Sequence, residues 1–358
     1  MKVMTILGTR PEIIRLCLII KKLDKSTDHT LVHTGQNYTS SLNEIFFSDL
    51  NLREPNYYLG ADSSSFGEQV SKIFYETAKL MEKIKPDKLL ILGDTNSGLS
   101  SIVAERTGIP VYHMEAGNRC YDLKVPEEKN RKVIDAISSF ALPYTPGSKA
   151  NLIKEGLPEN RIFVSGNPIY EVLKAYESRI DNSKIMSDLN LSPKNYFLVT
   201  MHRAENVDSK DRLKDIVTSL EMVSDKYKLP VVYSVHPRAK NKLEQYGLMT
   251  NKSKIMCLEP LGFFDFVKLE KNAKCVLTDS GTVQEEACIF RVPAVTIRDT
   301  TERPETVVCG SNMVSGLKPE NVMKCLETML KRDNNWEFPV GYVDSDVSDK
   351  ILKFILGE

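Results

Sequence analysis

DKLLILGD (87–94) is the stretch that decides the fold, because an unbroken apolar run leads directly into a glycine and a carboxylate. A strand that is apolar on both faces is typical of a parallel sheet covered by helices, whereas a half-solvated strand alternates apolar and polar residues. Strand-like runs precede it at VMTILGT (3–9) and HTLVHTG (29–35), and another follows at VYHMEAG (111–117). The pattern predicts a buried parallel sheet.

Helical patterns separate these strands. In the first half they predict helices at 11–23, 67–84, 96–107, 126–137 and 149–156, with a short strand at LPYT (142–145) and a closing segment, RIFVSGNP (161–168). In the second half the patterns predict strands at 195–202, 230–237, 254–260, 274–281 and 292–299, and helices at 209–227, 263–273, 282–290, near 304–309 and at 318–331.

This alternation of strand and helix predicts an α/β protein with two doubly wound, Rossmann-like domains facing a cleft. The first domain is expected to cover 1–167 and the second 168–344. Segment 345–358 contains the amphipathic stretch SDKILKFILGE, which we expect to return as a helix and pack on the first domain.

Composition argues against several classes of protein. Lys plus Arg and Asp plus Glu number 48 each, so no global field attracts nucleic acid or an anionic membrane. Seven scattered cysteines without a CxxC pair predict reduced thiols and a cytoplasmic protein. The first apolar run ends at Gly8, which is too short for a signal peptide or a membrane span and indicates a first strand.

Polar side chains follow nearly every predicted strand, where doubly wound sheets bind their ligands. Asp94 and Glu115 end neighbouring strands, and Glu127 begins the helix at 126–137. Carboxylates gathered in a dry cleft repel one another, so at least one tends to keep its proton, as acid–base chemistry requires. Alternatively, Asp94 caps the next helix and Glu127 stabilises its helix dipole, and the residues alone leave both interpretations open.

A second candidate is the small-residue turn Asp279-Ser280-Gly281-Thr282, between a strand and a helix. Backbone N–H groups at a helix N-terminus suit a phosphate, and Glu285 or Glu286 one turn later could accept ribose hydroxyls. An ordinary N-cap with acidic residues in the first turn would account for the same letters.

Three arginines near strand ends could bind a diphosphate. Arg10 follows the first strand, and Arg298 and Arg303 lie in RDTTERPE (298–305). Planar guanidinium donors suit phosphate, although any of the three could instead be a surface residue or a salt-bridge partner. The patterns GxGxxG and GxxxxGKS/T do not occur, which argues against a dinucleotide site and a P-loop.

Histidines and aromatic residues supply further candidates. His202 and His236 end adjacent strands, and His202 with Arg203 could act as an acid or stabilise departing phosphate charge, whereas His113 is expected to be buried. No HxH, HExxH, Cys/His cluster or GxSxG elbow occurs, so neither a metal site nor a Ser–His–Asp hydrolase is predicted. Phe266 could stack on a base or belong to the core.

Taken together, the strand-end motifs resemble the non-hydrolysing UDP-N-acetylglucosamine 2-epimerases over essentially the whole chain. In order they are GTRPE (8–12), LGDTNS (92–97), HMEAGNR (113–119), VPEEKNR (125–131), MHRAEN (201–206), TDSGTVQEE (278–286) and RDTTERPE (298–305). The resemblance implies a glycosyltransferase-B-like architecture, a UDP-binding second domain and a homodimer. The expected role is to supply a UDP-sugar for a surface polysaccharide.

The resemblance also implies a mechanism without metal or redox cofactor. UDP is eliminated across carbons 1 and 2 to give a bound 2-acetamidoglycal, and it adds back after a proton arrives from the other face. The family's catalytic carboxylates and histidine fall on Asp94, Glu115, Glu127 and His202. Its nucleotide-contacting and base-packing positions fall on Arg10, Ser280, Gly281, Glu286, Arg303 and Phe266. Further candidates for substrate contacts are Gln36, Asn37, Arg119, Arg203, His236 and Thr282.

Departures from the family pattern bear on the substrate. Thr282 stands where many members have a second glycine, and Asn37 replaces a histidine of the region where some members bind allosteric UDP-N-acetylglucosamine. HTGQNYTSSLNEIFF (33–47) and HMEAGNRCYDLKVPEE (113–128) look like a sub-branch that converts UDP-2-acetamido-2,6-dideoxy-L-talose to UDP-N-acetyl-L-fucosamine, whereas RDTTERPE looks like the UDP-N-acetylglucosamine enzymes. Both substrates stay open, as do a hydrolysing 2-epimerase, a glycosyltransferase and an inactive sugar-nucleotide sensor.

Overall fold

The chain folds into two compact units. The computed structural model describes residues 1–36, 40–63, 65–249 and 254–357, with only the backbone at 40–44. Unit 1 comprises Met1–Ala175 and Val340–Glu358, and unit 2 comprises Tyr176–Pro339.

Unit 1 alternates strands and helices. Its strands are β1 (Lys2–Leu7), β2 (Asp28–His33), β3 (Tyr57–Tyr58), β4 (Lys88–Leu92), β5 (Val111–Met114) and β6 (Phe140–Leu142). Its helices before unit 2 are α1 (Arg10–Ser26), α2 (Ser40–Asp49), α3 (Phe66–Ile84), α4 (Ser100–Arg106), α5 (Pro126–Ile137), α6 (Pro146–Lys154) and α7 (Ile169–Ala175). Short 3₁₀ turns occupy Asn96–Leu99 and Glu159–Arg161.

Unit 2 repeats the plan. Its strands are β7 (Phe197–Met201), β8 (Val231–Val235), β9 (Ile255–Leu258), β10 (Cys275–Thr278), β11 (Ala294–Thr296) and β12 (Asn312–Val314). Its helices are α8 (Glu177–Asp181), α9 (Ile185–Asp188), α10 (Ala204–Val207), α11 (Lys210–Tyr227), α12 (Pro237–Tyr246), α13 (Phe263–Asn272), α14 (Gly281–Ile289), α15 (Pro304–Val308) and α16 (Pro319–Lys331). The chain then returns to unit 1 with α17 (Val347–Gly357).

Each unit has one six-stranded sheet in which every recorded pairing is parallel. The strand orders are β3-β2-β1-β4-β5-β6 and β12-β11-β10-β7-β8-β9. In each sheet the strand order reverses at the first strand in sequence: β1 lies between β2 and β4, and β7 lies between β8 and β10. Ligands of doubly wound sheets bind at such a reversal point. The predicted fold class of two Rossmann-like α/β units is therefore confirmed.

The burial of the strands explains why their sequences are apolar. All five positions of β4 are buried, including Lys88, because helices cover both faces of the sheet. The Lys88 ammonium donates a hydrogen bond of 2.6 Å to the carbonyl oxygen of Ile355 in α17. The helix also packs on α1, as the amphipathic pattern at 348–358 predicted. None of the described helices is long and apolar enough to cross a membrane.

Local differences from the sequence-based elements have simple causes. The strand predicted at 142–145 lies instead at Phe140–Leu142, because Pro143 has no N–H for a ladder. The edge strands β3 and β12 are only two and three residues long, which is too short to show a period. α12 was not predicted because only Ala239 and Leu243 of its ten residues are buried. α2 was also not predicted.

Candidate functional site

Asp94 lies just beyond β4 and is held by α5. The Arg131 guanidinium pairs with the Asp94 carboxylate, and it also contacts Glu128 at 3.1 Å. The side-chain amide of Asn130 donates to the Asp94 carbonyl oxygen at 3.0 Å. Asp94 keeps 17% of its side chain exposed whereas Glu128 is fully buried, so Asp94 is the partner of Arg131 that solvent or a substrate can reach.

Glu115 follows β5 in a strained backbone conformation. Its φ of 64° lies in the left-handed region, which a non-glycine residue occupies only when its surroundings enforce it. Its carboxylate lies 3.7 Å from the Arg15 guanidinium on α1. A carbon added at Cβ of Gly93 would lie 4.0 Å from Glu115 Oε1, so this carboxylate adjoins the backbone that carries Asp94. The structure thus brings two of the predicted carboxylates to one sheet edge.

The two glutamates that begin α5 have different environments. Glu128 is buried and accepts hydrogen bonds from the backbone N–H groups of Cys120 and Tyr121, at 3.1 and 3.3 Å. Glu127 is half-buried in the first helical turn. Glu128 therefore anchors the 120–125 loop, whereas Glu127 remains partly exposed. Sequence reasoning singled out Glu127, but it did not find the anchoring role of Glu128.

A buried charged network lies behind these carboxylates. Asp135 on α5 is 2.8 Å from the His113 Nδ1 atom and 2.7 Å from the Arg119 guanidinium, and it accepts from the Gly117 N–H at 3.1 Å. The other His113 nitrogen, Nε2, lies 2.8 Å from the carbonyl oxygen of Gly93. Asp135 and His113 therefore link the chain segments that carry Asp94 and Glu115.

Hydrogen bonds and nearby charges favour the ionised form of Asp135. Burial alone would raise the pKa of Asp135, but hydrogen bonds and charge attraction from His113 and Arg119 outweigh it and hold the pKa below its ordinary value. The Arg119 guanidinium also contacts the Glu155 carboxylate, and its side chain is fully buried. These contacts favour a structural role for Arg119 over a substrate contact.

The first turn of α1 contains a further buried carboxylate, which the sequence did not reveal. Glu12 accepts hydrogen bonds from the Gly8 N–H (3.1 Å) and from the hydroxyls of Thr9 (2.6 Å) and Thr95 (3.2 Å). Burial raises its pKa to about 7, against the lowering effect of these hydrogen bonds. Glu12 thus ties the turn between β1 and α1 to the loop after β4.

Three other predicted residues, Arg10, Gln36 and Asn37, follow β1 or β2 in the chain. The Arg10 guanidinium lies over the Phe46 ring, 5.8 Å from its centroid, and burial lowers the pKa of Arg10. The side-chain oxygen of Gln36 accepts from the Ser97 N–H and hydroxyl at 3.1 and 3.0 Å, which orients the turn before α4. Asn37 lies outside the described residues.

In unit 2, Asp279 organises the ends of β7 and β10. It is fully buried, and its carboxylate accepts from the backbone N–H groups of His202 and Arg203 at 3.0 Å each and from Asn206 at 3.1 Å. Burial raises the pKa of Asp279, although these donors partly offset it. Asp279 therefore sets the backbone that presents His202.

The predicted residues His202, Arg203 and His236 follow the ends of β7 and β8. The His202 Nδ1 atom is 3.4 Å from Asp279 Oδ1, and 39% of the histidine side chain is exposed. The rings of His202 and His236 are 6.1 Å apart between centroids. The Arg203 guanidinium lies 3.9 Å from Glu302. A carboxylate thus contacts His202, while part of the histidine side chain remains exposed.

Ser280, Gly281 and Thr282 form the N-terminus of α14. The hydroxyls of Ser280 and Thr282 lie 2.8 Å apart, and the Ser280 N–H donates to the Thr278 hydroxyl at 2.9 Å. A side-chain carbon on Gly281 would lie 3.6 Å from the Arg303 guanidinium carbon. The helix terminus therefore combines backbone donors, two hydroxyls and a nearby cation, which together suit a phosphate.

The structure separates the two arginines of the 298–305 motif. The Arg298 guanidinium is 2% exposed and forms two hydrogen bonds to Glu302, at 3.0 and 3.1 Å. Arg303 pairs with Glu285 on α14 and borders Gly281. Arg298 therefore supports the loop, whereas Arg303 lies beside the N-terminus of α14.

Phe266 and Glu286 lie on the two helices around β10. Phe266 on α13 is partly buried and packs against a core cluster that includes Val276 and Val283, so only part of its ring is available to a base. Glu286 on α14 is 5% exposed. Within the described residues, no group of three or more His, Cys, Asp or Glu side chains could hold a metal ion.

Comparison with known proteins identifies relatives over nearly the full chain. The family model described as UDP-N-acetylglucosamine 2-epimerase matches residues 21–356. The UDP-N-acetylglucosamine 2-epimerase of Methanocaldococcus jannaschii is 44% identical over 350 residues, which cover 95% of each chain. The UDP-2,3-diacetamido-2,3-dideoxy-D-glucuronate 2-epimerase of Pseudomonas aeruginosa is 32% identical, over 99% of this chain and 100% of the relative.

A solved structure agrees in fold as well as in sequence. The crystal structure of the Methanocaldococcus jannaschii UDP-GlcNAc 2-epimerase in complex with UDP-GlcNAc and UDP superimposes with a TM-score of 0.95, at 42% identity and with 100% of both chains covered. Matches of this extent in sequence and fold show that the chain belongs to the UDP-N-acetylglucosamine 2-epimerase family.

Proposed function

We propose that this chain catalyses the reversible, non-hydrolysing 2-epimerisation of UDP-N-acetylglucosamine. The observation that carries the proposal is the pair Asp94 and Glu115, two acidic side chains brought to one sheet edge and each placed beside an arginine. The phosphate-suited terminus of α14 and the 44% identical relative named for this reaction support it.

The chemistry assigns a task to each group. A carboxylate of unit 1 removes the proton at carbon 2, and the bond from carbon 1 to the UDP oxygen breaks with its electron pair leaving on UDP. A second carboxylic acid delivers a proton to the other face of carbon 2, and the UDP oxygen re-forms its bond to carbon 1. Asp94, Glu115 and Glu127 are the groups proposed for these proton transfers, and His202 is proposed to stabilise the departing diphosphate.

Unit 2 is proposed to hold the nucleotide. The N–H groups and hydroxyls at Ser280–Thr282 and the guanidinium of Arg303 would bind the diphosphate, and Glu286 would accept the ribose hydroxyls. Phe266 would pack on the uracil. Binding UDP firmly between elimination and re-addition protects the glycal from capture by water.

The deciding experiment is proton NMR of the purified protein in deuterated water with UDP-N-acetylglucosamine. Deuterium at carbon 2 together with a new UDP-linked epimer is the expected result. Release of free N-acetylmannosamine would indicate a hydrolysing enzyme, transfer to an acceptor would indicate a glycosyltransferase, and UDP binding without exchange would indicate a sensor.

A second substrate is tested in the same experiment. The segments 33–47 and 113–128 resemble enzymes acting on UDP-2-acetamido-2,6-dideoxy-L-talose, and the relative from Pseudomonas aeruginosa is named for a third sugar. Epimerisation rates are measured side by side with the D-gluco and the 6-deoxy-L substrate. The substrate that is converted faster would identify the class of sugar on which the protein acts.

We further propose a homodimer working in the cytoplasm on a UDP-sugar destined for a surface polysaccharide. All seven cysteines are free thiols, as a reducing compartment requires. Light scattering coupled to gel filtration would test the dimer, since a mass near 40.5 kDa would mean a monomer. Fractionation of the source cell would test the location.

A further inference from the structure

Two buried glutamates lie on adjacent helices of unit 2. Glu270 is near the end of α13 and is completely buried, and Glu286 is on α14, which packs against α13. Among the residues that the structure describes, no donor reaches either carboxyl oxygen of Glu270. Burial raises the pKa of Glu270 well above its ordinary value, and the charge of Glu286 and hydrogen bonding to it raise it further.

No positive charge compensates Glu270 within the described part of unit 2. The lysines of α13 extend outward, Lys268 to the Asp181 carbonyl oxygen at 3.0 Å and Lys271 to the Asp181 carboxylate at 2.8 Å. The phenol of Tyr196, which precedes β7, donates to the carbonyl oxygen of Leu269. The charged residues of the other packed helices, α8 and α9, are exposed: they are Glu177, Arg179, Asp181 and Asp188.

Neighbouring carboxyl groups in such surroundings share one proton, because two adjacent buried negative charges without a cation cost several kcal/mol. The more deeply buried group keeps the proton, and its hydroxyl can donate to the carboxylate of the other. Glu270 is 0% exposed and Glu286 is 5% exposed, and Glu286 is the one on the helix that begins at the Ser280 turn. The proton therefore belongs on Glu270.

We propose that Glu270 is a positioning residue of the nucleotide site, which donates its retained proton to Glu286 and so holds an ionised Glu286 carboxylate toward the ribose hydroxyls of UDP. This inference rests on the proposed function, in which Glu286 contacts the ribose. The carboxylate of Glu286 would then accept a hydrogen bond from the Glu270 hydroxyl, which fixes its orientation toward the ligand.

The test compares two substitutions of Glu270 that differ in the donor. Glu270→Gln keeps a donor that cannot ionise, and Glu270→Met keeps the size of the side chain without a donor. UDP and 2′,3′-dideoxyuridine diphosphate, which lacks both ribose hydroxyls, are titrated calorimetrically near neutral pH. The two ligands share the uracil and the diphosphate, so their difference reports on the ribose contact.

The expected result is specific to donor and ligand. The glutamine variant should bind UDP within about threefold of wild type, and the methionine variant about tenfold more weakly, as loss of a hydrogen bond to a charged group predicts. The dideoxy analogue should bind all three proteins alike. The infrared difference spectrum of wild type minus the glutamine variant should show a protonated-carboxyl band at neutral pH, which tests the proton even if the methionine variant does not fold.

Other outcomes overturn the inference. If both variants bind UDP as wild type does, or if the infrared spectra of wild type and the glutamine variant coincide, Glu270 does not hold Glu286. Equal weakening of UDP and the dideoxy analogue would mean general disruption of unit 2. Wild type that binds neither ligand would overturn the proposed function as well, so the two failures are distinguishable.

Discussion

Replacing Glu12 by glutamine should remove one pH-dependent component of the stability of unit 1. Glu12 is fully buried, and burial raises its pKa from 4.5 to about 7. The folded chain therefore keeps a proton that the unfolded chain loses between these two values. The stabilisation by this proton is complete below about pH 4.5 and is lost as the pH rises through about 7.

The magnitude follows from the pKa difference. The difference between about 7 and 4.5, multiplied by about 1.4 kcal/mol per pH unit, gives about 3 kcal/mol of unfolding free energy. Part of this loss occurs below pH 5, so about 2.5 kcal/mol should fall between about pH 5 and about pH 8. An amide in place of the carboxyl keeps an acceptor for the Gly8 N–H and the Thr9 hydroxyl, and its NH₂ can donate to Thr95.

Urea denaturation at both pH values measures this quantity. Wild type is compared with Glu12→Gln and with Glu82→Gln, a control at an exposed position of α3. Circular dichroism follows both units, and fluorescence of Trp336, the single tryptophan, follows unit 2. Between about pH 5 and about pH 8, the unfolding free energy of the Glu12 variant should rise by about 2.5 kcal/mol relative to that of wild type. The unfolding free energy of the control should not change relative to wild type.

Two results would refute this reasoning. A relative gain below about 0.5 kcal/mol would mean that Glu12 is ionised in the folded chain at both pH values, or is more hydrated than its burial indicates. An equal gain in the control would trace the effect to net charge rather than to the buried carboxyl.

The remaining predictions concern the site itself. Asp94→Asn and Glu115→Gln should each lower turnover by about 10²–10⁴-fold while calorimetric UDP affinity stays within about threefold; normal turnover would remove that residue from the proposed chemistry. Asp135→Asn should cost about 3–5 kcal/mol in urea denaturation by uncoupling a buried charged network. Because the pKa of Asp135 is held low, this stability is present at neutral pH and lost on acidification, so the two proteins should converge in acid. Arg303→Met should weaken UDP binding at least about tenfold, whereas Arg298→Met should mainly lower the melting temperature; the reverse pattern would exchange their roles.

Much of the fold could be predicted because buried strands and amphipathic helices carry strong periodic signals. The run at 87–94 contains β4, and the helix predicted at 126–137 coincides with α5. Weakly patterned elements escaped, such as α12 with two buried residues and the two-residue β3. These elements take their shape from neighbours in space, which a window along the chain does not sample.

Part of the candidate site was also visible in the sequence. The carboxyl ends of parallel strands meet at one sheet edge, so Asp94 and Glu115 could be grouped from their positions alone. Glu12 and Glu270 could not, because each lies inside a helical pattern in which an acidic residue is ordinarily solvated. Their importance comes from burial against another element, and burial of a charged group has no local signal.

The sequence by itself determined the α/β class, the order of the elements and the motifs that mark the family, because periodicity and turn chemistry are local properties of the chain. Only the tertiary structure decided which charged residues are partners: Arg298 pairs with Glu302, whereas Arg303 pairs with Glu285 and borders Gly281. It likewise decided where burial raises the pKa of a carboxyl group, as at Glu12 and Glu270. The reason is physical, since desolvation and charge pairing depend on distances between atoms that are remote along the chain.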